Sequence, residues 1–151
     1  MRINLLCIGK TDDKKITELI SYYIARLPKH WNFEMIEIPD AKNARNLSSD
    51  LLKKEEAKLF FNHIENTDLV ILLDEKGKEF TSREFAQKLN YYQNNSIKKV
   101  CFLIGGAYGF SDEMYNRANE KLSLSKMTFT HQMIRLFFVE QIYRADQILQ
   151  G

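Results

Sequence analysis

Two segments narrow the choice of fold more than anything else in this chain: Leu69-Val70-Ile71-Leu72-Leu73 and the run Ile97 to Ile104 with its apolar core Val100-Cys101-Phe102-Leu103-Ile104. Neither alternates between apolar and polar positions, as a strand with one wet face does. A strand that is apolar throughout is covered on both sides, the situation of a parallel sheet with helices packed on each face. Residues 2–8 read as a further strand, and Trp31 to Ile38 reads as a second one ended by Pro39. Helical spacing fills the intervals. Ile16, Leu19, Ile20, Tyr23 and Leu27 mark a helix over 13–27 that Pro28 stops. Leu51, Leu52, Leu59, Phe60 and Ile64 mark the apolar face of another, capped by Ser48 or Ser49. Asp40 to Leu47 and Asp74 to Lys78 read as loops. Thr81 or Ser82 caps a third helix with Phe85 and Leu89 inward, and Ser111 caps a short fourth with Asp112 and Glu113 in its first turn. The short run Leu122 to Ser125 precedes a final helix from His131 to about Leu149.

Strands alternating with helices over 151 residues predict one α/β domain spanning 1–151. In such sheets ligands sit at the carboxyl ends of the strands, where strand order reverses. The loops that matter are therefore those after Leu73, after Ile104 and after Leu124.

Composition excludes several functions. No apolar run approaches the roughly 20 residues that span a bilayer, and the short apolar start Ile3 to Ile8 is a strand rather than a leader. Cys7 and Cys101 lie in separate apolar runs without C-x-x-C spacing, which predicts reduced core thiols in a cytoplasmic protein. His30, His63 and His131 are far apart and form no ligand pattern, so no metal is expected. The net charge of +2 is too small to predict nucleic-acid binding by itself. A weak basic cluster, Lys10, Lys14, Lys15, Lys42 and Arg45, falls in and beside the first two loops, where solvated surface charge is the default reading.

Gly105-Gly106-Ala107-Tyr108-Gly109 connects a buried strand to a capped helix. Glycines there allow close approach of a nucleotide. The pattern is neither G-x-G-x-x-G nor a lysine-bearing phosphate loop, so a plain strand-to-helix turn stands equally. Leu122 to Arg135 is more distinctive, placing a short strand, a loop and a helix start within fourteen residues. His131 and Arg135 are four apart and share a helix face, as do Glu140 and Arg144, whose plain reading is an exposed ion pair.

Taken together, Leu103-Ile104-Gly105-Gly106-Ala107-Tyr108-Gly109, the segment Leu122-Ser123-Leu124-Ser125-Lys126-Met127-Thr128-Phe129-Thr130-His131, and Ile142-Tyr143-Arg144-Ala145 resemble the ribosomal RNA large subunit methyltransferase H family. The likeness extends to Ile3–Gly9 and to Phe33–Pro39. It implies a SPOUT-type sheet flanked by helices with a trefoil knot in the carboxyl-terminal half. It implies S-adenosylmethionine as cofactor, held by Leu73, Gly105, Leu124, Ser125, Lys126, Met127, Thr128 and Phe129. The activity implied is N3-methylation of a pseudouridine in 23S rRNA, by a homodimer acting on the ribosome. His131 would handle substrate or proton, and Arg135 and Arg144 would hold phosphate or developing negative charge. Family members carry a further Tyr-His tail expected to serve the catalytic centre; without it the cofactor pocket should survive while methyl transfer suffers. A related knotted tRNA methyltransferase and a non-catalytic ribosome-binding module are the alternatives.

Overall fold

The computed structural model describes residues 1–151 throughout. Its elements are β1 (Arg2–Ile8), α1 (Lys14–Ile24), β2 (Glu34–Ile38), α2 (Ser49–Phe61), β3 (Leu69–Glu79), α3 (Ser82–Asn94), β4 (Lys99–Ile104), α4 (Asp112–Arg117), β5 (Glu120–Ser123) and α5 (His131–Gln150). Each helix starts where a short polar side chain accepts from the free backbone donors of the first turn. These caps are Asp13, Ser48, Thr81, Ser111 and Thr130, and Thr81 forms a reciprocal capping box with Glu84.

The five strands form one sheet in the order β2-β1-β4-β3-β5, and every pairing is parallel. Successive strand residues point to opposite faces, so one apolar run feeds two cores. Ile3, Leu5, Cys7, Ile71, Val100, Phe102 and Leu122 pack with α1, α3 and α5. Leu6, Val70, Leu72, Cys101 and Leu103 pack with α2 and α4 on the other face. Helix α5 lies against both α1 and α3. This is the doubly covered α/β sheet expected from the sequence and is consistent with the SPOUT-type arrangement. No helix is long and apolar enough to cross a membrane.

The structure corrects several element boundaries. Trp31 is not in a strand. It ends a single turn of 3-10 helix, Lys29–Trp31, after Pro28, and Asn32 follows with a φ of 43°. The indole is buried with its Nε1 donating to Gln93 Oε1 at 3.0 Å, so its apolar character serves the core from a turn. Helix α1 ends at Ile24, short of Leu27, and β4 begins at Lys99 rather than Ile97. On α2 the inward face is Leu52, Glu56, Ala57 and Phe60, while Leu51 is exposed. A carboxylate, Glu56, sits between Leu52 and Phe60 on the buried stripe. Finally, β3 does not stop at Leu73. Leu73 and Lys78 both register with Leu122, so Asp74–Gly77 is a four-residue excursion within a strand that resumes beside β5. Gly77 lets the excursion close, since a Cβ there would lie 2.7 Å from the backbone carbon of Lys121.

Candidate active site

Because all strands run the same way, their carboxyl ends and the following loops gather along one edge. Three of these segments enclose a cleft of about 470 Å³. The excursion within β3 contributes Asp74, Glu75 and Lys76, beside Leu73 at its start. The loop after β4 contributes Ile104 through Phe110, and α4 adds Tyr115. The loop after β5 contributes Leu124, Ser125, Met127, Thr128 and Phe129, with His131 and Ile134 from the first turn of α5. The size falls in the range of small-molecule and cofactor sites.

Local hydrogen bonds shape each wall. Gly109 takes a φ of 82°, a conformation that glycine adopts without strain, and its N–H donates to Gly106 O at 3.1 Å. Gly105 is folded tightly under this turn, for a Cβ on it would sit 3.1 Å from Gly109 O. In the third wall, Ser123 Oγ donates to Ser125 O at 2.8 Å, and Met127 N–H donates to Ser125 Oγ at 3.0 Å. Phe129 leans on Phe137 of α5 with ring centroids 4.9 Å apart. Tyr115 OH donates to Asp74 Oδ2, tying α4 to the excursion across the cleft mouth. Burial and that carboxylate raise the Tyr115 hydroxyl above its ordinary range, so it stays a donor.

The start of α5 is clasped to the loop after β1. Gln132 Oε1 accepts from Asp12 N–H at 2.8 Å, and Gln132 Nε2 donates to Lys10 O at 3.3 Å. Arg135 is buried at 2% exposure, with Nη1 donating to Thr11 Oγ1 and Nη2 to Ile8 O, both at 2.8 Å. Its ion-pair partner is Glu37 at 3.5 Å. These contacts fix His131, exposed one turn earlier, at the rim of the cleft.

The fold therefore brings Leu73, Gly105, Leu124, Ser125, Met127, Thr128, Phe129 and His131 to one cleft. Lys126 belongs to the same loop but is exposed and does not line it. Arg135 points away, into the junction of β1, β2 and α5, where a guanidinium committed to protein oxygens cannot reach a substrate phosphate. Arg144 is exposed on α5, thirteen residues or about 20 Å beyond His131. It forms no ion pair with Glu140, whose Oε1 accepts from Gln141 instead. Cys7 and Cys101 lie in the two cores, where burial pushes each thiol up to about 12 and leaves it inert.

The loop after Leu73, one of the three that the sequence marks for a ligand, supplies Asp74, Glu75 and Lys76 to the wall. Sequence reasoning misses Tyr115. Tyr115 sits in a six-residue helix too short to show a face. Glu56, at 6% exposure, was missed as well, because a lone carboxylate on a charged helix reads as solvated.

A small-molecule cleft walled by irregular loops at the carboxyl edge of a parallel sheet defines an α/β enzyme domain of the cofactor-binding kind. Residues 1–151 match the family model described as "Predicted SPOUT methyltransferase". The chain is 54% identical over 151 residues to the ribosomal RNA large subunit methyltransferase H of Cytophaga hutchinsonii, covering 100% of this chain and 97% of that protein. The proteins of the same name from Christiangramia forsetii and Parabacteroides distasonis are 49% and 50% identical over 100% of this chain and 96% of theirs. The chain belongs to the SPOUT methyltransferases, in the branch of the ribosomal RNA large subunit methyltransferase H family.

Proposed function

We propose that this chain transfers the methyl group of S-adenosylmethionine to N3 of a pseudouridine in 23S rRNA, acting in the cytoplasm as a homodimer on the ribosome. Residues 1–151 would work as one domain, with the segment after β3 threaded as a trefoil knot around the cleft. The observation that carries the reading is the convergence of Leu73, the glycine loop 105–109 and the loop 124–129 on one cleft of cofactor size, in a chain half identical to proteins named large subunit rRNA methyltransferase H.

The wall chemistry fits the donor. Leu73, Ile104, Leu122 and Leu124 offer an apolar slot for adenine, and the glycine loop offers bare backbone polar groups at close range. Asp74 and Glu75 set negative charge beside a ligand whose sulfur is cationic. No phosphate-binding lysine is needed. S-adenosylmethionine supplies a methyl group already activated by its sulfonium, so the protein need not generate an electrophile. Its task is to hold the nitrogen in line with the methyl carbon at contact distance and to help remove the N3 proton. That proton is acidic only in the alkaline range, and His131, exposed at the rim, would accept it or position the substrate. The loops after β1 and β2, adjacent parallel strands, bring Lys10, Lys42 and Arg45 to the same edge of the sheet as the cleft. These cations and Arg144 would hold phosphate. A dimer presents each of them twice, which concentrates a modest charge.

Calorimetric titration of S-adenosylmethionine into this chain and into Gly105→Arg, with circular dichroism as the folding control, tests the pocket. Binding by the parent and none by the folded variant is expected. A folded parent that does not bind would remove the cofactor reading and leave a ribosome-binding module. Mass mapping of ribosomal and transfer RNA after methyl transfer then decides the substrate.

A further inference from the structure

A buried carboxylate stands behind the glycine loop, on the side away from the cleft. Glu56 projects from α2 towards Gly106, and a Cβ built on Gly106 would lie 2.4 Å from Glu56 Oε2 and 2.6 Å from Oε1. The carboxylate is thus packed directly on the backbone of the loop. No basic side chain pairs with it. The charged neighbour it does face is another carboxylate, Asp40, in the loop after β2. One turn farther along α2, Phe60 meets Phe110 at the end of the same loop, with ring centroids 6.1 Å apart. Helix α2 therefore touches the loop through Glu56 at Gly106 and through Phe60 at Phe110, while Gly106 and Gly109 close it by their own bridge.

An unpaired carboxylate is an expensive way to fill space in a protein interior. A leucine or methionine at this helix position would pack without the desolvation cost, but the flat carboxylate fills the space that Gly106 leaves by having no Cβ. Phe60 secures the far end of the loop by apolar contact, and the carboxylate braces the near end. It limits how one peptide group can move in a segment whose glycines impose little order of their own. The opposite surface of that peptide segment lines the cleft.

We propose that Glu56 is a positioning residue for the cofactor: by holding the Gly106 peptide from behind, it sets the shape of the 105–109 wall and hence the affinity for S-adenosylmethionine. The inference rests on the cofactor reading above, and it assigns to α2 a part in binding that no cleft-lining side chain reveals. Loop order that is present before the ligand arrives need not be created on binding, which is where the affinity comes from.

The test compares the parent with Glu56→Ala and Glu56→Gln in the full chain, by hydrogen exchange of the backbone amides and by calorimetric titration with S-adenosylmethionine. Glu56→Ala should speed exchange within 105–110 while leaving α1 and α5 as in the parent. It should weaken cofactor binding by about tenfold, because a loop no longer braced from behind must be ordered on binding. Glu56→Gln keeps the shape and reach of the side chain and should restore most of both. Exchange in 105–110 unchanged in Glu56→Ala would overturn the proposal, as would affinity within about twofold of the parent. A uniform rise in exchange across the chain would overturn it too, since that is the mark of general destabilisation. Should the parent itself fail to bind the cofactor, the functional reading falls, and local exchange in 105–110 still decides whether Glu56 orders the loop.

Discussion

Replacing Arg135 by methionine separates two roles that the sequence alone could not. The resemblance places Arg135 among the catalytic groups, whereas the fold commits its guanidinium to Thr11 Oγ1 and Ile8 O at 2.8 Å and to Glu37 at 3.5 Å. Methionine nearly matches the stem in volume, so the cavity left behind is small and the polar loss dominates. A hydrogen bond to a charged group is worth about 1.5–3 kcal/mol, and two well-formed ones are removed. Against this stands the relief of burying a cation at 2% exposure with its Nε unpartnered, an effect of opposite sign and several kcal/mol. What tips the balance is the residue left behind. Ile8 O loses its donor and the Glu37 carboxylate keeps the Thr11 N–H but loses its cation, and breaking a buried pair from one side costs about 3–5 kcal/mol. Because the Glu37 side chain is 33% exposed and water can reach it, the lower end, about 3 kcal/mol, is expected. Urea unfolding measures it directly, with cofactor affinity of the folded variant close to that of the parent. A variant as stable as the parent, yet defective in methyl transfer, would refute the structural assignment and return Arg135 to the substrate.

Two other perturbations read the same edge of the sheet. Glu56 is pushed by burial, and secondarily by Asp40, from 4.5 to about 7. The folded state thus holds this proton more tightly, and the stability it lends is present below the unfolded value and lost as pH rises through about 7. At 1.36 kcal/mol per pH unit the loss is at most about 3 kcal/mol, and Glu56→Gln should abolish it. Unfolding free energies of parent and variant should diverge steadily across that window; parallel profiles would show that the carboxylate is already ionised there. Gly77→Ala, whose Cβ would press on the Lys121 backbone at 2.7 Å, should cost about 1–3 kcal/mol as β5 gives way. A melting temperature equal to that of the parent would mean that the excursion 74–77 adjusts freely.

The sequence by itself determined the class of fold, and for a local reason. Runs such as Leu69–Leu73 and Val100–Ile104 have no wet face, and the capping residues Ser48, Thr81 and Ser111 are read from neighbours two or three positions away. The three loops that wall the cleft were also legible, because loops after parallel strands must share one edge and family likeness fell on those loops. What only the tertiary structure decided depends on partners remote in the chain. Trp31 looked like a strand residue until Gln93 took its indole N–H. Asp74–Lys78 reads as a loop between elements, and only the pairing with Leu122 shows β3 resuming beyond it. Arg135 and His131 share a helix spacing, yet the clasp to Ile8, Thr11 and Glu37 turns one inward and leaves the other at the cleft. Glu56 is indistinguishable in sequence from its half-buried neighbour Glu55. Whether a carboxylate meets water or the backbone of Gly106 is settled by how α2 is docked on the sheet, fifty residues away along the chain.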